Sequence, residues 1–86
     1  MFLPDDYWLL AFHSTHAAMA AAKALSGGHK IQIIATPREV TAGCGMAIRY
    51  QAADKVEALM IAQQSGLRDA DFDVYRQGSD GRYYRD

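Results

Sequence analysis

Cys44 is the only cysteine of the chain, and it stands between Gly43 and Gly45, with Arg38 before it and Arg49 after it. A thiol does nucleophilic chemistry as the thiolate. An ordinary cysteine has a pKa of about 8.5, so only about 3% is ionised at pH 7. Unpaired N–H groups at a helix start, or a nearby cation, favour the anion. Flanking glycines leave the sulfur approachable and let successive N–H groups curl around an anion. Arg38 and Arg49 are candidate cationic helpers. The residue types and spacing therefore point to a reactive thiol. The competing reading is a buried cysteine acting as a small, inert hydrophobe.

Other chemistries fit less well. One cysteine forms no internal disulfide. His13 and His16 are spaced i, i+3, but with His29 and Cys44 they make too few sure ligands for zinc, so a metal is not expected; a reactive thiol acting as a carrier implies no organic cofactor. No Lys-Ser/Thr follows Gly43-Cys44-Gly45, so it is not a phosphate loop. Tyr50, Tyr75, Tyr83 and Tyr84 read as strand packing rather than base-stacking positions.

The elements that must position the thiol follow from the apolar pattern. "YWLLAFH" (7–13) reads as a buried central strand. Ser14 or Thr15 is suited to cap the Ala-rich helix that follows, with Ala18, Ala21, Ala22 and Leu25 on its inner face. "SGG" (26–28) should end that helix in a left-handed turn. "HKIQIIA" (29–35) is a second strand, closed by Thr36-Pro37, and "REVTAGCG" is a loop. "MAIRYQ" (46–51) places Met46, Ile48 and Tyr50 on one face and Ala47 and Arg49 on the other. Asp54 and Glu57 resemble a capping box for a second helix, whose stripe is read as Val56, Leu59, Met60 and Gln63, ending at Gly66. "DFDVYR" (71–76) is a fourth strand with Phe72 and Val74 inward. The tail, 77–86, turns at Ser79-Asp80-Gly81 and ends as a short extra strand or a loose end.

The order β-α-β-β-α-β predicts an α+β, ferredoxin-like two-layer sandwich: an antiparallel sheet in the order 4-1-3-2 with both helices on one face. In that topology the end of strand 1, the start of helix 1 at Ser14-Thr15-His16, and Cys44 share one sheet edge, with the turn at Gly66-Leu67-Arg68 as a third neighbour. His16 then becomes a candidate proton partner for Cys44.

The chain has 86 residues, one domain's worth, with a core over about 7–76. Nine Lys+Arg against ten Asp+Glu give a net charge of −1, which argues against nucleic acid or an anionic membrane as main partner. The start, "MFLPDDYWLLAF", has no basic segment and carries Pro and two Asp early, unlike a signal peptide. A cytoplasmic setting suits the free thiol.

Pro37, Arg38, Glu39, Val40, Cys44, Gly45, Ala47, Arg49 and Tyr50, together with "FHSTHAAM" at the start of the first helix, resemble the pattern of the selenium/sulfur carrier-like domains. The resemblance spans roughly residues 7 to 65 and leaves out the tail. It implies a carrier that holds sulfane sulfur on Cys44 as a persulfide. A donor such as a cysteine desulfurase would load it, and an acceptor protein would unload it. Such a carrier forms a covalent intermediate without turnover of its own. Ser14, Thr15, Arg38, Gly43, Gly45 and Arg49 are the candidate binding residues around the anion. The Cys-Pro-x-Pro motif of better-known sulfur-relay proteins is missing, since Gly45 follows Cys44. Two alternatives stand beside this reading. One is a non-catalytic ferredoxin-like module with Cys44 incidental, which binds a small ligand or a partner, or dimerises through the open edge of strand 2 or 4. The other is a single-thiol redox sensor.

Overall fold

The aromatic-rich apolar run forms β1 (Tyr7–Phe12), and Trp8 to Phe12 are all buried, so β1 is the central strand expected. The computed structural model describes residues 7–40 and 43–85. The reading of the chain's first six residues, and Thr41 and Ala42 of the loop, lie outside them. After β1 come α1 (Thr15–Ser26), β2 (Ile31–Ala35), β3 (Met46–Gln51), α2 (Lys55–Gln63), β4 (Phe72–Gln77) and β5 (Tyr83–Arg85). The sheet runs β2-β3-β1-β4-β5, with every neighbouring pair antiparallel. This is an α+β fold with the expected β-α-β-β-α-β order and the expected four-strand order, extended by one strand. The tail therefore adds a short strand, Tyr83–Arg85, to the sheet. β5 covers part of β4, from Tyr75 to Gln77, so the two outermost strands are β2 and β5 rather than β2 and β4.

Alternation along the strands gives two cores. On one face Trp8, Leu10 and Phe12 of β1 meet Ile48 and Tyr50 of β3 and the inner residues of both helices. Burying each large apolar side chain contributes about 1.5–3 kcal/mol. The opposite face is not bare. Leu9, Ala11, Ala47, Tyr75 and Tyr83 form a second cluster, and Val40, from the β2–β3 connection, folds down onto it. The Glu39 carboxylate accepts a hydrogen bond from the Tyr83 amide at 3.0 Å and pins that connection to β5.

Ser14 is the cap of α1: its Oγ accepts from the Ala17 amide at 3.1 Å. The helix ends at Gly27 with φ −76°, a right-handed residue, not the left-handed turn anticipated from "SGG". The amides of Gly28 and His29 both reach back to the Leu25 carbonyl, which closes the helix without a left-handed step. In α2, Asp54 Oδ1 accepts from the Glu57 amide at 2.9 Å, as expected, and Glu57 returns to the Ala53 amide. The face of α2 departs from expectation. Val56 and Met60 are 67% and 58% exposed, while Ala58, Ile61 and Ala62 are buried. The helix is turned so that small residues meet the sheet.

Close helix–sheet approach lets the Tyr50 hydroxyl donate to the Ala58 carbonyl at 2.9 Å. Burial pushes this phenol well above the usual tyrosine range of about 10. The unfolded chain releases the proton from about pH 10 while the folded chain retains it, so this group's contribution to stability falls as pH rises past that point. Tyr50→Phe is expected to cost about 1 kcal/mol at neutral pH. It should also lose less stability than wild type between neutral pH and about pH 11. Urea denaturation at both pH values reads this, and equal losses would contradict it.

Candidate functional site

The connection after β2 is shaped by Thr36. Its amide donates to the Gly45 carbonyl at 3.0 Å, and its hydroxyl donates to the Cys44 carbonyl at 2.9 Å. The same residue that starts the loop thus fixes the backbone on which the thiol sits. Gly43 fixes it from the other side. A Cβ built there would lie 2.6 Å from the His13 carbonyl oxygen, so the loop passes flush against the chain leaving β1. Only glycine permits that approach.

These contacts deliver Cys44 to the leading end of α1. Its thiol donates to the hydroxyl oxygen of Thr15, the first helical residue, with Sγ 3.7 Å away. The Met46 amide donates to Sγ at 3.3 Å. An oriented N–H, a hydroxyl and the leading end of α1 therefore meet at one sulfur. The juxtaposition inferred from chain order is realised.

Openness is not. Cys44 is 4% exposed and belongs to the helix-side core, so the thiol is not held open as the flanking glycines suggested. Gly43 packs flush on the His13 carbonyl, and Cys44 itself is buried with the helix-side core residues. Gly43 and Gly45 themselves are exposed, and a Cβ at Gly45 would meet nothing within 4 Å, so free space lies beside the cysteine backbone. Left-handed glycine backbone occurs at Gly66 and Gly81 among the described residues, so Gly45 does not form the curled anion nest envisaged for it.

The other candidates separate. Ser14 is committed to capping α1, and Thr15 touches the sulfur. His16 is exposed on the first turn and is not among the partners of Sγ, which bonds to Thr15 and Met46 instead. Arg38 is exposed in the turn closed by the Val40 amide on the Pro37 carbonyl. Its neighbour Glu39 has its carboxyl held below the usual range by backbone N–H donors, its own and that of Tyr83. Arg49 is not brought to Cys44. It lies on the opposite sheet face, 3.5 Å over the Tyr7 ring, bonded to Gln32 and Gln77. Strand alternation is the cause: Arg49 shares its face with Ala47. Arg68 of the third turn pairs locally with Asp71 at 3.6 Å.

Sequence reasoning missed Thr36 and the Met46 amide. A threonine directly before a proline at a strand end was a usable signal for the first, because its hydroxyl can reach a nearby loop carbonyl. Nothing in the sequence marked the second. Also unmarked was Asp73, which pairs with Arg85 at 2.8 Å and with His13 at 3.2 Å. Among the described residues no three His, Cys, Asp or Glu side chains group as metal ligands. No helix of the described residues is long and apolar enough to cross a membrane.

A family model described as "Putative Se/S carrier protein-like" matches residues 7–72. The chain belongs to the Se/S carrier protein-like family. The match covers α1, the Cys44 loop and α2, and it stops at the first residue of β4, so β5 lies beyond it. Among curated proteins, the uncharacterised protein MJ0011 of Methanocaldococcus jannaschii is 38% identical over 47 residues, which is 55% of this chain and 24% of that protein. The chain thus spans about a quarter of that relative's length. No solved structure matches the chain.

Proposed function

We propose that this Se/S carrier-like domain carries sulfur, or selenium, on Cys44 as a persulfide or its selenium counterpart. One observation supports the reading above all: Sγ sits at the leading end of α1 with the Met46 amide donating into it. In loading, the Cys44 thiolate attacks the outer sulfur of a donor protein's cysteine persulfide. A sulfur–sulfur bond forms at Cys44, the donor's sulfur–sulfur bond breaks, and the donor leaves as its thiolate. The exchange is redox-neutral. In unloading, an acceptor thiolate attacks the outer sulfur in the same way and returns Cys44 to thiolate. The Met46 amide donates to the anion before and after each step, and the Thr15 hydroxyl, which accepts from the thiol, rotates its O–H to donate to the thiolate. Because Cys44 is 4% exposed, each exchange requires the Gly43–Gly45 segment to yield towards the free space beside Gly45.

That same burial favours a second reading, a non-catalytic ferredoxin-like module in which Cys44 is a packing residue. Incubation with a cysteine desulfurase and cysteine separates the two. The carrier reading expects intact-mass analysis to find one added sulfur atom, reversible by dithiothreitol and absent in Cys44→Ser. No adduct, with a desulfurase shown to load another carrier in the same buffer, would transfer the assignment to the module.

A further inference from the structure

We propose that Arg49 anchors a second site, a shallow cavity that takes the carboxylate of a small molecule. The cavity, about 170 Å³, opens between the starts of β1 and β2 and the end of β3, and Tyr7, Lys30, Gln32, Arg49 and Gln51 help to line it. Arg49 is half-buried and held in place. Its guanidinium stacks 3.5 Å over the Tyr7 ring, one terminal nitrogen donates to Gln32 at 2.6 Å, and the other donates to Gln77 at 3.3 Å. Both Gln partners are neutral, so they orient the charge without cancelling it. Each terminal nitrogen keeps a second N–H. Lys30 brings a second cation to the same cavity. Among the described residues no carboxylate lies within ion-pair distance of either cation.

A planar guanidinium fixed by stacking, with further N–H groups in its plane that no described residue engages, fits a carboxylate better than a spherical or tetrahedral anion. Preorganisation also lowers the ordering cost of binding. The ring of Tyr7 offers an apolar surface for the remainder of a small ligand. The site faces away from Cys44, and it stands or falls independently of the carrier reading.

The test is amide NMR titration with sodium succinate and sodium acetate, against sodium chloride and sodium sulfate at matched ionic strength. Saturable shifts confined to Lys30, Gln32, Arg49 and Gln51 are expected, with succinate Kd on the order of 1–10 mM. Lys30→Ala, at an exposed position, should weaken succinate binding about threefold and keep the fold. Arg49→Met should weaken it about tenfold or more. Shifts that track ionic strength alone, or that sulfate reproduces equally, would overturn the proposal. So would unchanged succinate binding in folded Arg49→Met, or in Lys30→Ala should Arg49→Met not fold.

Discussion

Ala62→Asp is expected to abolish cooperative folding, while Met60→Asp, two positions earlier on the same helix, leaves the urea midpoint nearly unchanged. Ala62 is 0% exposed and packs in the helix-side core, with no described polar group free to pair with a carboxylate there. Burying an unpaired charge costs several kcal/mol, and a domain of this size holds only about 4–13 kcal/mol in total. Met60 is 58% exposed, and a surface change of this kind stays within about 0.5 kcal/mol. Circular dichroism and urea melts of the two variants measure this. The stripe read from sequence, through Val56, Leu59, Met60 and Gln63, would give the reverse ranking, so a folded Ala62→Asp beside an unfolded Met60→Asp would restore it.

Gly43→Ala and Gly45→Ala should likewise differ, although both add one methyl group beside the same cysteine. At Gly43 the new Cβ lands 2.6 Å from a main-chain oxygen of His13, which has no flexible end to swing aside. The loop must lift, and forced overpacking of this kind costs about 1–3 kcal/mol. Lifting it also separates Sγ from Thr15 and uncovers the sulfur, so alkylation by iodoacetamide in the folded protein should accelerate about tenfold or more. At Gly45 the Cβ meets nothing, and both stability and alkylation rate should stay close to wild type. If Gly43→Ala alkylates at the wild-type rate, the role of Gly43 in covering Cys44 is wrong.

Local chemistry was legible in the sequence because it acts over three or four residues. Ser14 capping α1 and Asp54 capping α2 are contacts between neighbours in the chain, and the residue types disclose them. The strand faces of β3 followed from alternation, which put Arg49 opposite Ile48 and Tyr50; the consequence for Arg49, its separation from Cys44, was present in that alternation. The phase of α2 was not legible. Ala58, Ile61, Ala62 and Ser65 have the same i, i+3, i+4, i+7 spacing as the stripe chosen from sequence, shifted by two residues. With apolar residues all round the helix, periodicity fixes the spacing of a face but not which face. The sheet selected the smaller side chains, because they allow Tyr50 to reach the Ala58 carbonyl.

The sequence by itself determined the order of elements, the two helix starts, the strand alternation and the family motif around Cys44. With chain order, these also determined which sheet edge carries the thiol, because crossover connections leave few topologies for β-α-β-β-α-β. Only the tertiary structure decided that Cys44 is covered, that Thr15 and the Met46 amide are its partners, and that Val40 and β5 close the second face. Those outcomes depend on contacts between residues such as Gly43 and His13 or Glu39 and Tyr83, far apart in the chain. Whether such groups meet is set by the packing of the whole sheet, which no local pattern encodes.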